Sequence, residues 1–322
     1  MTAEDARWLA AAAALAERAR PLSRPNPGVA ALIVRDGVVI ARGWTLIGGR
    51  PHAEAVALQL AGEAARGAVL YVTLEPCAHR SQRGPACADL VAEAGLARVV
   101  IGMRDPDART AGAGIARLEA AGVNVTEAGL SATDLGLPGH NAAVRLGRPH
   151  VTLKLALSLD GCIATASGES QWITGETARA HTHRERARAD AILVGGGTLR
   201  ADNPRLDVRL PGLGDRSPER WVLTRGEAPD GWRALASPHA VRDMESVRYL
   251  FVEGGAGVAA AFLAEDLVDR LLIYRAPILI GGGVPGVRDI GLARLDDTKG
   301  RWALADHRQL GQDTLEIFNR TR

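Results

Sequence analysis

The feature that most constrains this chain is an alternation, met twice, of short apolar runs with amphipathic helical stretches. From Val29 to Gly129 it reads VAALIV, the helical AEAVALQLAGEAA, AVLYVTL, the helical ADLVAEAG, ARVVIGM and the helical GIARLEAAG. Such alternation predicts a layered α/β sheet. A second set follows: the strand VTLKLAL, the helix TARAHTHRERARA, the strands AILVGGG, WVLT and RYLFVEGG, the helix VAAAFLAEDLV, and the strand RLLIYRAPILIG. Between the sets, TEAGLSATDLGLPGHNAAVRLGRP has weak periodicity, several glycines and two prolines, which puts a domain boundary at about Gly147 to His150. The 322 residues suit two domains of roughly 100–200 residues each, here 1–147 and 148–322.

Charge and composition narrow the partners. The 39 basic and 37 acidic residues are spread along the chain and nearly cancel, so no basic tract marks a nucleic-acid groove. Aromatic residues, at 4%, leave few platforms for stacking bases. The alanine-rich start carries Glu4, Asp5, Arg7, Glu17 and Arg18 in helical register and reads as an amphipathic first helix, not a signal peptide. No apolar run approaches the roughly 18 residues of a membrane span. Three cysteines make no disulfide framework and fit a reducing cytoplasm.

The chemistry concentrates in three segments: Pro51-His52-Ala53-Glu54 opening a helix, Glu75-Pro76-Cys77 ending a strand, and Cys87 just before the next helix. One imidazole and two thiolates suit Zn²⁺, and three protein ligands leave a fourth position for water. Zinc lowers the pKa of such a water, and a neighbouring carboxylate must then move its protons. Glu54, two residues past His52, can reach the same cavity without coordinating. A lone His or Cys is usually a packing residue, and a structural zinc site also uses cysteines. His-Ala-Glu followed by Pro-Cys and a third ligand after a short loop is instead the zinc-deaminase signature, with Glu as general acid and base.

The strings RPNPGVAALIV, GGRPHAEAVAL and LEPCAHRSQRGPAC resemble the deaminase domain of bifunctional riboflavin-biosynthesis enzymes. The resemblance continues through VTLKLALSLDGCIATASGESQWITGETARAH and GGGTLRADNPRLDVR into their reductase domain and covers nearly the whole chain. It implies a cytidine-deaminase-like three-layer N-terminal domain and a dihydrofolate-reductase-like C-terminal domain. The implied first reaction removes the 2-amino group of a diaminopyrimidinone ribosylamino 5′-phosphate. The implied second reduces the ribosyl group to ribityl with NADPH.

Carried over by position, His52, Cys77 and Cys87 are the zinc ligands and Glu54 is the proton shuttle, while Asn26 and Asp105 contact substrate. In the second half Ser170, Arg186, Leu206, Arg209 and Glu253 match substrate positions, and Lys154 is a candidate proton donor. Ala156, Trp172, Thr198, Asp202 and the stretch Gly255, Ala256, Gly257, Val258, Ala259, Ala260 and Ala261 match NADPH positions. Its opening residues fit G-x-G-x-x-A between a strand and a helix, a dinucleotide signal that is weak alone. Arg275, about 20 residues on, is compatible with a 2′-phosphate. A phosphorylated pyrimidine is the expected small-molecule partner, with neither nucleic acid nor membrane, and a homo-oligomer, dimer or tetramer, the expected assembly.

Some positions depart from the pattern. Nine residues separate Cys77 from Cys87, one more than expected, so the metal loop should bulge. Thr45 stands where a substrate-contacting His is usual, and Cys162 where Arg or Lys follows Ser-Leu-Asp-Gly. The stretch from Trp221 to Glu253 is roughly 40 residues shorter than the resemblance implies, as though a strand and a helix were missing. A monofunctional deaminase with a degenerate second domain is therefore the alternative.

Overall fold

The computed structural model describes residues 1–79 and 84–322. The chain forms two compact units, Met1–Gly147 and Arg148–Arg322. The loop 80–83 of the second cysteine motif, and with it the expected bulge, lies outside the described residues.

The first unit opens with α1 (Ala3–Ala16), started by a capping box in which Thr2 and Asp5 exchange side-chain and backbone hydrogen bonds. Then come β1 (Ala30–Arg35), β2 (Val38–Trp44), α2 (Ala53–Ala61), β3 (Val69–Leu74), α3 (Cys87–Glu93), β4 (Arg98–Met103), α4 (Ala113–Ala120), β5 (Val125–Glu127) and α5 (Pro138–Leu146). The sheet runs β2-β1-β3-β4-β5. β1 is antiparallel to β2 and β3, while β3, β4 and β5 are parallel. Because strand side chains alternate faces, Leu32, Val34, Tyr71 and Val100 meet Trp8, Leu9 and Ala12 of α1 on one side. Ile33, Leu70, Val72, Val99 and Ile101 meet Ala53 and Ala57 of α2, Val91 of α3, and Ile115 and Leu118 of α4 on the other. Three layers result.

The second unit contains β6 (His150–Leu157), β7 (Cys162–Ala164), α6 (Glu176–Arg186), β8 (Ala191–Gly195), α7 (Gly196–Asp202), β9 (Glu219–Leu223), β10 (Arg233–Leu235) and β11 (Tyr249–Val252). It continues with α8 (Ala256–Ala264), β12 (Arg270–Arg275), β13 (Val284–Pro285), β14 (Trp302–Leu310) and β15 (Asp313–Arg320). The main sheet is β10-β9-β8-β11-β6-β12-β15-β14. Its first six strands are parallel, and β15 and β14 close it as an antiparallel hairpin. α8 packs through Val258, Ala259 and Phe262 on the face carrying Val151, Leu153, Val252 and Leu271. Ala178 of α6 packs on the opposite face with Ile192, Phe251, Leu272 and Tyr274.

Several boundaries differ from the sequence reading. The strand foreseen to run through Gly281 stops at Arg275, two residues before Pro277, which has no N–H to continue the ladder; farther on, the Asp160 carboxylate accepts the backbone N–H groups of Ile280 and Gly281. The first strand pair includes the unforeseen β2, an edge strand with exposed Val38 and Val39. α5 was not foreseen either; it starts on a proline inside a glycine-bearing segment. Where a strand and a helix were expected to be missing, β10 and a six-residue 3-10 segment, Pro238–Asp243, are present.

Candidate functional site

In parallel α/β sheets, ligands bind beyond the carboxyl ends of the strands. β3 and β4 are parallel neighbours paired at Leu74 and Met103, so Cys77 and Asp105 follow adjacent strand ends. α2 reaches the same edge because β2 passes flush beneath it. A Cβ on Gly43 would lie 2.3 Å from the Ala53 carbonyl oxygen, so only glycine allows this approach.

His52 is the N-cap of α2 and uses an extended backbone with no side-chain cap, which frees its imidazole. Nδ1 lies 3.6 Å from Cys77 Sγ and 3.3 Å from Cys87 Sγ, and the three donor atoms are all within 4.8 Å of one another. Zn–S bonds of about 2.3 Å and Zn–N bonds of about 2.0 Å at tetrahedral angles require N···S separations of about 3.5 Å. The set therefore fits zinc in both chemistry and spacing. Asn26 donates to the Gly49 carbonyl at 2.8 Å, and its amide stands 3.0 Å from His52 Nε2, bounding the ring on the side away from the thiols.

Hydrogen bonding with Cys87 holds the Cys77 thiol well below the ordinary thiol range, and the same contact pushes Cys87 up. The Cys87 N–H, at the start of α3, points at Cys77 Sγ from 3.4 Å and favours a thiolate there. Glu54 is 3% exposed; burial pushes its carboxyl up to about 7, against the pull of His52. A carboxyl so placed can both take and return a proton near neutrality. Thr45 does not replace the missing imidazole: its hydroxyl accepts the Val29 N–H at 3.0 Å.

Glu75 carried no role in the sequence reading. Its carboxylate accepts four backbone N–H groups, from Asp105, Gly112, Gly114 and Ile115, and so ties the end of β3 to the Asp105 loop and the start of α4.

In the second unit, β6 alternates strictly, so Lys154 and Ala156 share the face opposite Leu153 and Leu155. Arg186, at the end of α6, grips Glu253, just past β11, through Nε to Oε1 at 2.6 Å and Nη2 to Oε2 at 3.0 Å. Lys154 Nζ lies 3.9 Å from Glu253 Oε2, and burial lowers the lysine pKa. Arg186 also donates to the Asp207 carbonyl, bringing in the loop of Leu206 and Arg209. Leu206 is buried there with φ of +55°, a strained value for a branched side chain. His183, one turn before Arg186, joins this group through Nδ1, 3.1 Å from the Asp207 carbonyl and 3.3 Å from the Arg209 N–H. Its i, i+3 spacing from Arg186 was the signal that could have found it.

Of the cofactor candidates, Thr198, Asp202 and the stretch 255–261 follow the ends of β8 and β11. Gly255 is the N-cap of α8, and a Cβ there would stand 3.6 Å from the hydroxyl of Thr198 on α7. Ala256 to Ala261 lie in the first turns of α8, Asp202 ends α7, and Ala156 lies on β6, next to β11. Trp172 is 65% exposed with the Arg179 guanidinium 4.9 Å from its ring, and Ser170 is half-buried two residues earlier. Arg275 pairs with Glu316 at 3.2 Å.

Residues 2–103 match the sequence model described as the cytidine and deoxycytidylate deaminase zinc-binding region, and residues 149–315 match the RibD C-terminal domain. The riboflavin biosynthesis protein RibD of Escherichia coli is 35% identical over 360 residues, covering 96% of this chain and 98% of that protein. The chain belongs to the RibD family. RibD of Mycobacterium tuberculosis is 40% identical, with 90% of each chain covered. Acinetobacter baumannii RibD superposes with a TM-score of 0.85 at 34% identity over 99% of both chains. A Thermotoga maritima structure titled diaminohydroxyphosphoribosylaminopyrimidine deaminase/5-amino-6-(5-phosphoribosylamino)uracil reductase superposes at 0.86 with 30% identity and the same coverage. As a RibD, the chain is a bifunctional deaminase and reductase, with a zinc-binding deaminase domain and an NADPH-dependent reductase domain. Both expected fold classes hold, and no finding favours the single-activity alternative. Among the described residues no helix is long and apolar enough to cross a membrane.

Proposed function

We propose that the first unit deaminates a diaminopyrimidinone ribosylamino 5′-phosphate and that the second reduces the ribosyl group of the product to ribityl. The observation that carries this reading is the buried Glu54 two residues from a His52, Cys77 and Cys87 set of zinc-like spacing. His52 Nδ1 and the two Sγ atoms would hold the metal. When bound, zinc supplies a Lewis-acidic centre at which water becomes nucleophilic near neutral pH. The Glu54 carboxylate takes one proton from the attacking water and delivers it to the ring nitrogen, then takes the second from the hydroxyl now on the ring carbon and passes it to the amine, which leaves as ammonia as the carbonyl forms. Asn26 and Asp105 orient the heterocycle.

In the second unit NADPH, when bound, supplies hydride. The N-terminal turns of α7 and α8 present backbone N–H groups suited to its phosphates. Lys154 Nζ carries the proton that accompanies hydride arrival at the sugar. Arg186 holds the Glu253 carboxylate beside the sugar, and the exposed Arg209 is the side chain open to the substrate phosphate. The enzyme works as a homo-oligomer in the cytoplasm. Incubation with the diaminopyrimidinone substrate, with and without NADPH, tests the reading: ammonia should appear in both cases and ribityl product only with NADPH. Ammonia release that survives exhaustive chelation would overturn it.

A further inference from the structure

His140, near the start of α5, is a buried side chain with no part in the chemistry above. It is 7% exposed, and its Nε2 lies 2.8 Å from Asp105 Oδ1. An ionised carboxylate only accepts, so Nε2 carries the hydrogen. Nδ1 is sealed from solvent with no hydrogen-bond partner. A buried polar atom left unpaired is unfavourable, so helix packing alone does not account for histidine at this position.

The geometry at Asp105 supplies the account. Oδ1 accepts a second hydrogen bond, from the Asp107 N–H at 2.9 Å, while Oδ2 takes none among the described residues. The Asp107 donor closes a local turn within the same loop. The His140 donor comes from a helix 35 residues away in sequence and ties the carboxylate to α5. The Asp105 side chain keeps 11% exposure, and its backbone N–H is held by Glu75, two residues before Cys77. Oδ2 is thus the atom left to meet a ligand at the strand edge where the zinc set lies.

We propose that His140 is a positioning residue of the deaminase site: it locks the Asp105 carboxylate so that Oδ2 accepts a hydrogen bond from an N–H of the substrate heterocycle. This rests on the reading of Asp105 as a substrate contact. Small displacements of an orienting group weaken productive binding steeply.

The zinc-loaded full chain carries the test, with ammonia release, zinc content and thermal midpoint measured for each variant. His140→Leu should raise KM on the order of tenfold with kcat within about twofold of the parent, the pattern of lost uniform binding. His140→Gln, whose amide can donate from nearly the same place, should restore most of it. Asp105→Ala should raise KM at least as much, and adding His140→Leu to it should change nothing further. An unchanged KM in His140→Leu beside an impaired Asp105→Ala overturns the positioning role alone. An unchanged KM in Asp105→Ala sinks the reading of Asp105 and this proposal with it. Equal losses in the Leu and Gln variants that follow a lowered midpoint show a structural role and overturn the proposal. Should His140→Leu not fold, His140→Asn, whose amide is too short to reach Oδ1, is expected to raise KM in the same way, and a parental KM there overturns it.

Discussion

Arg186 clasps Glu253 with two parallel hydrogen bonds, Nε to Oε1 and Nη2 to Oε2, and both side chains are nearly buried. Burial alone would raise the Glu253 carboxyl, but Arg186 outweighs it and holds the group below the ordinary carboxylate range. Arg186→Met leaves that charge without its partner. Breaking a buried pair costs about 3–5 kcal/mol, so thermal unfolding should shift down and NADPH oxidation should be lost while ammonia release persists. Arg186→Lys should not rescue the reductase, because an ammonium cannot form the fork.

Glu54→Gln keeps the shape of the side chain and removes its capacity to carry a proton. Ammonia release should fall by about 10²–10⁴-fold, the usual worth of a positioned acid–base group. Zinc content by metal analysis and ribityl formation from the deaminated intermediate should stay at parental levels. Loss of zinc would assign Glu54 to the metal instead.

Asp269 gives the second unit an acid-sensitive element. Burial would raise its carboxyl, yet Arg148, through contacts of 2.6 and 3.0 Å, helps hold it at about 2 against an ordinary 3.8. A carboxyl with a depressed folded-state pKa contributes its full stability above the unfolded value and loses it as pH falls through the folded one. The window therefore runs from about pH 4 down to about pH 2, and at about 1.4 kcal/mol per pKa unit the loss is about 2.5 kcal/mol. Acid titration of stability should show this slope in the parent and not in Asp269→Asn.

Gly43→Ala tests whether close packing of β2 under α2 sets the metal site. The added carbon would meet the Ala53 carbonyl oxygen at 2.3 Å and the Ala57 nitrogen at 2.7 Å, both backbone atoms, so one element must shift. Overpacking of this kind costs about 1–3 kcal/mol. Reduced zinc retention on dialysis should accompany the loss, since His52 and Glu54 travel with α2. Parental zinc affinity in a destabilised variant would show that the site tolerates the shift.

The zinc set was legible because soft donors at fixed spacing signal one chemistry whatever the surroundings, and His52 and Cys87 stand at helix starts as the pattern required. Parallel core strands were legible for a similar local reason, being continuous apolar runs. β2 was hidden because its outer residues are exposed, and α5 because proline and glycines mask its period. β15 carries an alternating buried pattern that a period-two reading of TLEIF could have found. Glu75 and His140 left no mark in the sequence, since what they do depends on partners distant along the chain. His140 meets Asp105 across 35 residues, and Arg186 meets Glu253 across 67.

Four amide hydrogens from two stretches of chain converge on the Glu75 carboxylate. The wall that carries Cys77 and the wall that carries Asp105 are consequently pinned at one point and cannot hinge independently. Adapting this pocket to a differently shaped heterocycle therefore calls for exchanging side chains along its rim, because any retracing of the backbone would dislodge both walls together.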